Sequence, residues 1–288
     1  MRPSCKMIRN ISVALYRAAW RLVIPLLFLA VWGYLAVRAE NEIILPHVTQ
    51  VFELLSHPSV SLISMGSLAT NIFVSLARVM VGYVIAVLIA VPLGVLMGYY
   101  GSVHSLLNGF LALFRPIPPL AWVPLVLAWF GVASMATVFR VQIGQWYIYL
   151  NNLKLSMIFI IFIGAFYPIL TSSIQGVRNV RKTLVDSARV LGASELSIFR
   201  KILFPAAAPS IVTGMRIGLG VGWMCLVSAE MLPGSISGIG YLITHAYTVA
   251  RTDIVIAGMI SIGMVGALLD LVFRYIENKK FGWQRLAR

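Results

Sequence analysis

Charge is what this sequence has least of. Only 11% of its 288 residues are Asp, Glu, Lys or Arg, against roughly 25% in an ordinary soluble domain. A soluble globule of this length needs a charged surface, so that class is excluded. Disorder needs low hydrophobicity, and a 60% apolar content excludes it as well. Acids are scarcer than bases: 9 Asp and Glu face 23 Lys and Arg, for a net charge of +14. Cysteine is nearly missing. Cys5 and Cys225 lie far apart without a CxxC partner, which supports neither a disulfide framework nor a zinc site. The four histidines, His47, His57, His104 and His245, form no HxxxH or HExxH pattern. No G-x-x-x-x-G-K-S/T run occurs, so the chain has no P-loop with which to bind ATP. No catalytic constellation is visible, and no metal site is expected.

What is present is long apolar sequence, with a mean hydropathy of +0.91. The chain reads as an all-α polytopic membrane protein. A span needs about 20 mostly apolar residues. Six candidates fit, at roughly 20–37, 68–100, 103–131, 155–176, 207–232 and 253–276. The second carries Arg78 and Pro92, and the third is broken at Arg115-Pro116-Ile117-Pro118-Pro119. The first has a basic leader and an apolar core like a signal peptide, but Arg38 and Glu40 fit cleavage poorly, and it is read as an uncleaved span. In a soluble chain a charge of +14 would suggest nucleic acid. Here basic residues at span ends set topology, and no nucleic-acid partner is expected. Residues 1–21, 177–206 and the tail after 276 together hold 15 of the 23 cations. With six spans, all three fall on one side, which is then cytoplasmic. The loop 38–66 on the other side holds Glu40, Glu42 and Glu53 against Arg38. Five or seven spans would separate the tail from the N-terminus. Three segments follow: 1–66, with a cytoplasmic N-terminus, first span and external amphipathic stretch; 67–277, the core; and 278–288, a basic tail.

The loop 177–206 is polar and patterned. Thr183 and Asp186 read as a capping-box-like start. Gly192 allows a tight turn. Ser194 can cap a second helix, with Glu195 in its first turn, and Pro205 is expected to stop it. The expected product is a helix–turn–helix outside the bilayer. Its apolar face would be Leu196, Phe199, Ile202 and Leu203, which asks for a partner surface.

Asp186-x-Ala188, Gly192 and Ile202-x-Phe204-Pro205 match, spacing for spacing, the E-A-A-x(3)-G-x(9)-I-x-L-P loop. The chain therefore resembles the permease subunits of binding-protein-dependent ABC importers. Asp186 stands for the usual Glu, Ser187 for the middle Ala and Phe204 for Leu. Further segments resemble the branch that imports nitrate, sulfonates, taurine and bicarbonate: Leu45-Pro46 to Val51, Ser75 to Val79 with Gly82-Tyr83, and Pro92-Leu93-Gly94. Arg115 to Leu125, Trp129-Phe130-Gly131, Ala229-Glu230-Met231, Gly238 to Tyr241 and Arg251-Thr252-Asp253 do so too. The resemblance covers about residues 40–277. It implies a type I ABC importer-like bundle of six transmembrane helices with a cytoplasmic coupling helix. Asp186, Ala188, Gly192, Ala193, Glu195, Ile202 and Pro205 would form the element that docks on an ATPase. Implied partners are cytoplasmic ABC ATPase subunits that bind ATP and Mg, an external binding protein (periplasmic or lipid-anchored), a second permease copy and membrane lipid. The chain itself would hold no cofactor and catalyse nothing. It would sit in a prokaryotic plasma membrane, with both termini cytoplasmic. Residues 132–154 depart from the family pattern by roughly twenty residues. They lengthen an external loop, form an interfacial aromatic helix, or add a span; the first two preserve the sidedness.

From Leu54 through Val185 there is no acid, while Arg78, Arg115, Arg140 and Lys154 occur in the same run. Span-embedded cations are expensive and mark pathways or partners. An acid-free set favours an anion, since arginine offers a fork of donors to oxyanions. Arg115, beside the proline break, and Arg78 are path candidates, with Trp122 and Glu230. Each arginine could instead snorkel or pair with carbonyls, and Glu230 is expected to pair structurally with Arg216 or Arg251. Gly94 and Gly98, and Gly214, Gly218 and Gly222, recur every four residues and suit close helix packing. Trp122, Trp129, Trp146 and Trp223 suit interfacial anchoring. A stand-alone secondary transporter or channel is the competing class, but it would more often show an internal repeat and embedded acids.

Overall fold

Small residues recur along one side of two long helices, and this decides what those helices pack against. The computed structural model describes residues 23–63, 65–231 and 234–280. The basic N-terminal segment, Cys5 and the end of the tail lie outside the described residues. Among the described residues the regular structure is helical, apart from two isolated bridges, Ser61 with Ser67 and Ser134 with Lys154.

The chain begins with α1 (Val23–Ala39) and a short amphipathic α2 (Val48–Ser56). A 32-residue α3 (Leu68–Tyr99) follows. The third apolar stretch is two pieces, α4 (Gly101–Phe114) and, after a single 3-10 turn at Pro119–Trp122, α5 (Val123–Phe130). They meet at 80°. The cause is local: Pro116, Pro118 and Pro119 crowd one turn, and Pro118, ahead of another proline, is held extended at ψ 139°. Two short helices, α6 (Met135–Val138) and α7 (Gln145–Asn151), lead to α8 (Leu155–Arg178). A polar hairpin, α9 (Lys182–Val190) and α10 (Glu195–Ile198), runs through a π-turn at Phe199–Leu203 into α11 (Phe204–Glu230). The chain ends in α12 (Ile239–Thr248) and α13 (Thr252–Lys280).

Four helices are long and apolar enough to cross a bilayer, the bent pair makes a fifth, and α1 is a shorter apolar helix. Their outward residues are apolar, as lipid-facing positions require: Phe28, Leu88, Leu113, Met224 and Leu271 are all exposed.

Helix α8 is the centre of the bundle. A Cβ on Gly82, Gly94 or Gly98 of α3 would fall 2.6–2.8 Å from Ile161, Ser173 or Val177 of α8. Residue numbers rise together, so α3 and α8 run parallel. A Cβ on Gly214 or Gly218 of α11 would fall 2.3 Å from Ser172 or 2.7 Å from Ile169. There the numbers run oppositely, so α11 is antiparallel. Both glycine ridges therefore face α8 within one chain. The parallel pairing also decides the 132–154 question. α3 and α8 both run toward the hairpin, and the bent pair between them carries the chain back once. The insert crosses nothing. It stays at the end opposite the hairpin, where Leu155 donates to the Ala133 carbonyl and Met135 to that of Leu153, closing its neck.

One anchoring expectation is corrected. Trp223 is buried and donates to the Ile262 carbonyl at 3.2 Å, so it belongs to the core. Trp129 and Trp146 are exposed.

Overfilling a tight contact costs about 1–3 kcal/mol. We predict that Gly218→Ala, whose Cβ has no room, lowers the thermal unfolding midpoint of the purified protein. Gly220→Ala, with nothing within 4 Å, leaves it unchanged or raises it. Equal midpoints would refute the packing assignment.

Candidate functional sites: a buried ion pair and a polar hairpin

Arg78 lies on the inner side of α3 and is fully buried, as is Glu230 at the end of α11. Their Nη1 and Oε1 atoms are 2.6 Å apart. The expected pairing of Glu230 with Arg216 or Arg251 is corrected. Arg216 instead faces Asp270 and Glu277 on α13, and Arg251 pairs with its near neighbour Asp253. A buried pair is tolerable only when its remaining donors and acceptors are satisfied. Here they are. Arg78 Nε donates to the Asn152 carbonyl at 2.7 Å, Nη1 to the Ser237 carbonyl at 2.7 Å and Nη2 to Ser237 Oγ at 2.8 Å. Ser75 Oγ lies 2.9 Å from both oxygens of Glu230. The Gly240 N–H, in the first turn of α12, donates to Oε2 at 3.0 Å, where the helix dipole also favours a carboxylate. Gly238 has φ +110°, and a Cβ there would lie 2.3 Å from Oε1. Only glycine lets this loop close over the acid. Asn71 completes the seam by accepting from the Gly238 N–H at 2.8 Å.

One guanidinium thus joins α3, α11, the loop before α12 and the last residues of the insert. Asn71, Asn152 and Ser237 escape sequence reading, because none sits in a recognisable pattern, and Ser75 lies in the family-like Ser75–Val79 segment with nothing there to mark it as a partner of Glu230. Lys154 lies next to this seam and is also buried.

Arg115 is elsewhere, exposed at the end of α4 on the proline break. Trp122 is half-buried on the same break, its ring 5.9 Å from that of Phe114, and its indole N–H is buried without a partner among the described residues.

At the opposite end of the bundle, Gly192 (φ +80°) turns α9 into α10. Ala193 N–H closes the turn on the Ala188 carbonyl at 3.0 Å. Ser194 caps α10 by accepting from Ser197 N–H. Arg189 reaches Asp186 at 3.7 Å and Glu195 at 2.8 Å. The Tyr99 hydroxyl donates to Glu195, which ties the hairpin to the end of α3. The Glu195 carboxylate holds Arg189 further into its charged form.

Three expectations are corrected here. α9 starts at Lys182 with no side-chain cap, so Thr183 is not a capping residue. Pro205 does not stop a helix. It lies in the first turn of α11, where proline has no N–H to waste. Leu203 is buried, and Phe199 and Ile202 are half-buried, with Ile198, Leu203 and Ala207 rooted against Val95 and Val177. The apolar surface the hairpin presents is instead Leu184, Val190, Leu191 and Leu196, of which Val190 and Leu191 are 87% and 86% exposed.

A bundle of long apolar helices with an apolar exposed surface and a braced polar hairpin at one end defines a polytopic membrane protein. Comparison with known proteins gives the family. Residues 90–282 match the model of the binding-protein-dependent transport system inner membrane component. A Methanocaldococcus jannaschii protein described as an ABC transporter permease is 46% identical over 93% of each chain. The taurine transport system permease protein of Escherichia coli is 32% identical, over 88% of this chain and 84% of its own. A nitrate import permease protein of Synechocystis is 37% identical, over 73% and 69%. An inward-facing structure of a methionine ABC transporter superposes with a TM-score of 0.60 at 17% identity, over 74% of this chain and 95% of that one, so the fold is shared. The chain belongs to the binding-protein-dependent inner-membrane components, the permease subunits of ABC importers.

Removing one partner of a buried pair costs about 3–5 kcal/mol, because the other is left uncompensated. Glu230→Ala is therefore expected to destabilise the protein severely. Arg78→Met combined with Glu230→Leu should recover part of that loss. A double variant no more stable than the single one, by thermal unfolding in detergent, would contradict a pair that acts as a unit.

Proposed function

We propose that this chain builds, as a homodimer, the translocation path of an ATP-driven importer for a small anion of the nitrate, sulfonate, taurine or bicarbonate class. The hairpin end is cytoplasmic. The opposite end, with α2, the insert and α12, faces an external binding protein that delivers the cargo. The chain performs no catalysis; ATP and Mg are bound by the partner ATPases. The basic charge of the N-terminal segment and tail supports a cytoplasmic side for both termini.

The observation that carries this reading is the hairpin. An exposed apolar tip is costly in water unless something covers it. This one is braced by Arg189, Glu195 and Tyr99 and continues through the π-turn into α11. A rigid apolar knob joined to a span suits transmission of a push from an ATPase groove. Asp186, Ala188, Gly192, Ala193, Glu195, Ile202 and Pro205 shape that knob and its root, and the groove would receive Leu184, Val190, Leu191 and Leu196. The anion class is supported by the acid-free run from Leu54 through Val185 and by the cargo named for the taurine and nitrate relatives. Arg115, exposed on the break in the third span, is the first candidate to meet the anion in the membrane, with Trp122 beside it. Arg78 and Glu230 serve the path by holding its outer end together.

Two outcomes are expected. A cysteine introduced by Ser194→Cys crosslinks to the ATPase, and Leu191→Arg abolishes co-purification of the ATPase without changing the permease's own unfolding midpoint. Failure to crosslink at every position from 186 to 200 would refute the docking. Arg115→Gln should leave assembly intact and stop anion uptake into proteoliposomes; undiminished uptake would remove Arg115 from the path.

A further inference from the structure

Among the described residues, the buried charged side chains are Arg78, Glu230 and Lys154. The carboxylate is committed to Arg78 at 2.6 Å. That leaves the ammonium of Lys154, a residue 8% exposed, without a negative partner among the described residues. Its contacts are neutral and long: the Val132 carbonyl at 3.4 Å and Asn151 Oδ1 at 3.2 Å. A buried cation without a counter-charge costs several kcal/mol, and an ammonium has three donors to satisfy. The local field makes the imbalance worse. Lys154 is the N-cap of the 24-residue α8, where the helix dipole adds partial positive charge. Burial, and then the nearby Arg78 charge, press its ammonium toward the neutral form. Everything around Lys154 calls for negative charge, and the protein supplies none.

It does supply space. A cavity of about 280 Å³ opens beside Lys154. Val123 and Leu127 of α5, Met157 and Ile160 of α8 and Ala229 of α11 form apolar walls, and the buried Ser156 hydroxyl adds a second polar group. Apolar walls with a few convergent polar groups are the usual make-up of a small-ligand site. We propose that this cavity binds a small oxyanion, a nitrate or an alkanesulfonate, with Lys154 as its counter-charge and Ser156 as a second donor. The site lies at the outer end of the bundle, between the bent span and α8, and adjoins the Arg78 seam. It would be the first place an anion meets the permease after leaving the binding protein. The insert acquires a role as well. Its last residue is the cation, and the Ser134–Lys154 bridge fixes that residue at the cavity wall. This inference rests on the anion-import reading for its place in transport, but anion binding at Lys154 can be measured separately.

The test uses the full chain in lipid nanodiscs, titrated calorimetrically with sodium nitrate and sodium ethanesulfonate, and with choline as a cationic control. The wild type should bind one or both anions and not choline. Loss of a charged hydrogen-bond donor corresponds to about 1.5–3 kcal/mol, or roughly 10–100-fold in affinity. Lys154→Gln should weaken binding by that much, and Lys154→Arg should retain most of it. Leu127→Trp, which fills the cavity without touching the lysine, should also abolish binding and guards against a misfolded Lys154 variant. Absence of binding in the wild type, or binding in Lys154→Gln or Leu127→Trp as tight as in the wild type, overturns the proposal. Uptake by the assembled importer separates the two readings. Anion uptake that is unchanged by Lys154→Gln keeps the cargo reading and removes the site. Lys154-dependent binding in an importer that takes up no anion keeps the site and removes the cargo reading.

Discussion

A guanidinium and a carboxylate with no access to water hold the outer end of this permease together. Arg78 and Glu230 are 152 residues apart in sequence, and α3, α12, the loop before it and the end of the insert each donate to or accept from one of them. Such a pair is weak evidence for stability in itself, since desolvation consumes most of the Coulomb gain. Its value lies in geometry. The pair is tolerable only while Ser75, Gly240, Ser237 and Asn152 complete it, so α3, α11, α12 and the insert can close in one arrangement. A looser closure would leave charge stranded in a low-dielectric interior.

The inner architecture rests on a different constraint. Lipid is as apolar as leucine, so helices in a membrane gain little by hiding apolar surface from it and must gain from close packing. The glycine ridges of α3 and α11 provide this by letting both backbones approach α8 closely. Along the same stretch of α11, polar contacts add to the packing: Thr213 donates to Glu277, and Arg216 pairs with Asp270 and Glu277 on α13.

Much of the fold was legible in the chain because membrane physics writes it in composition. The apolar runs located the spans, prolines 116, 118 and 119 located the break, and the spacing around Gly192 located the turn of the hairpin. The site was legible only in part. Glu230 was recognisable as a buried acid, but nothing local says which of several arginines will reach it; that depends on α3 and α11 being neighbours. The hairpin's outward face was misassigned because Phe199, Ile202 and Leu203 carry the same apolar signal whether they face a partner or root the hairpin. The π-turn, which shifts the helical register by one residue, rotated them inward. The insert's path was undecidable from hydropathy, and the parallel run of α3 and α8 resolved it.

The closed neck of the insert has an evolutionary consequence. Residues 133–135 and 153–155 bond to each other across its base, so the spans on either side are positioned by the neck and not by what hangs from it. Loop-closure entropy rises only logarithmically with length. The stretch between α6 and α7, where Ile143 is 89% exposed, can therefore lengthen, shorten or be exchanged with little effect on the bundle. It is a place where related permeases can diverge in what they meet outside the membrane while keeping the same machine within it.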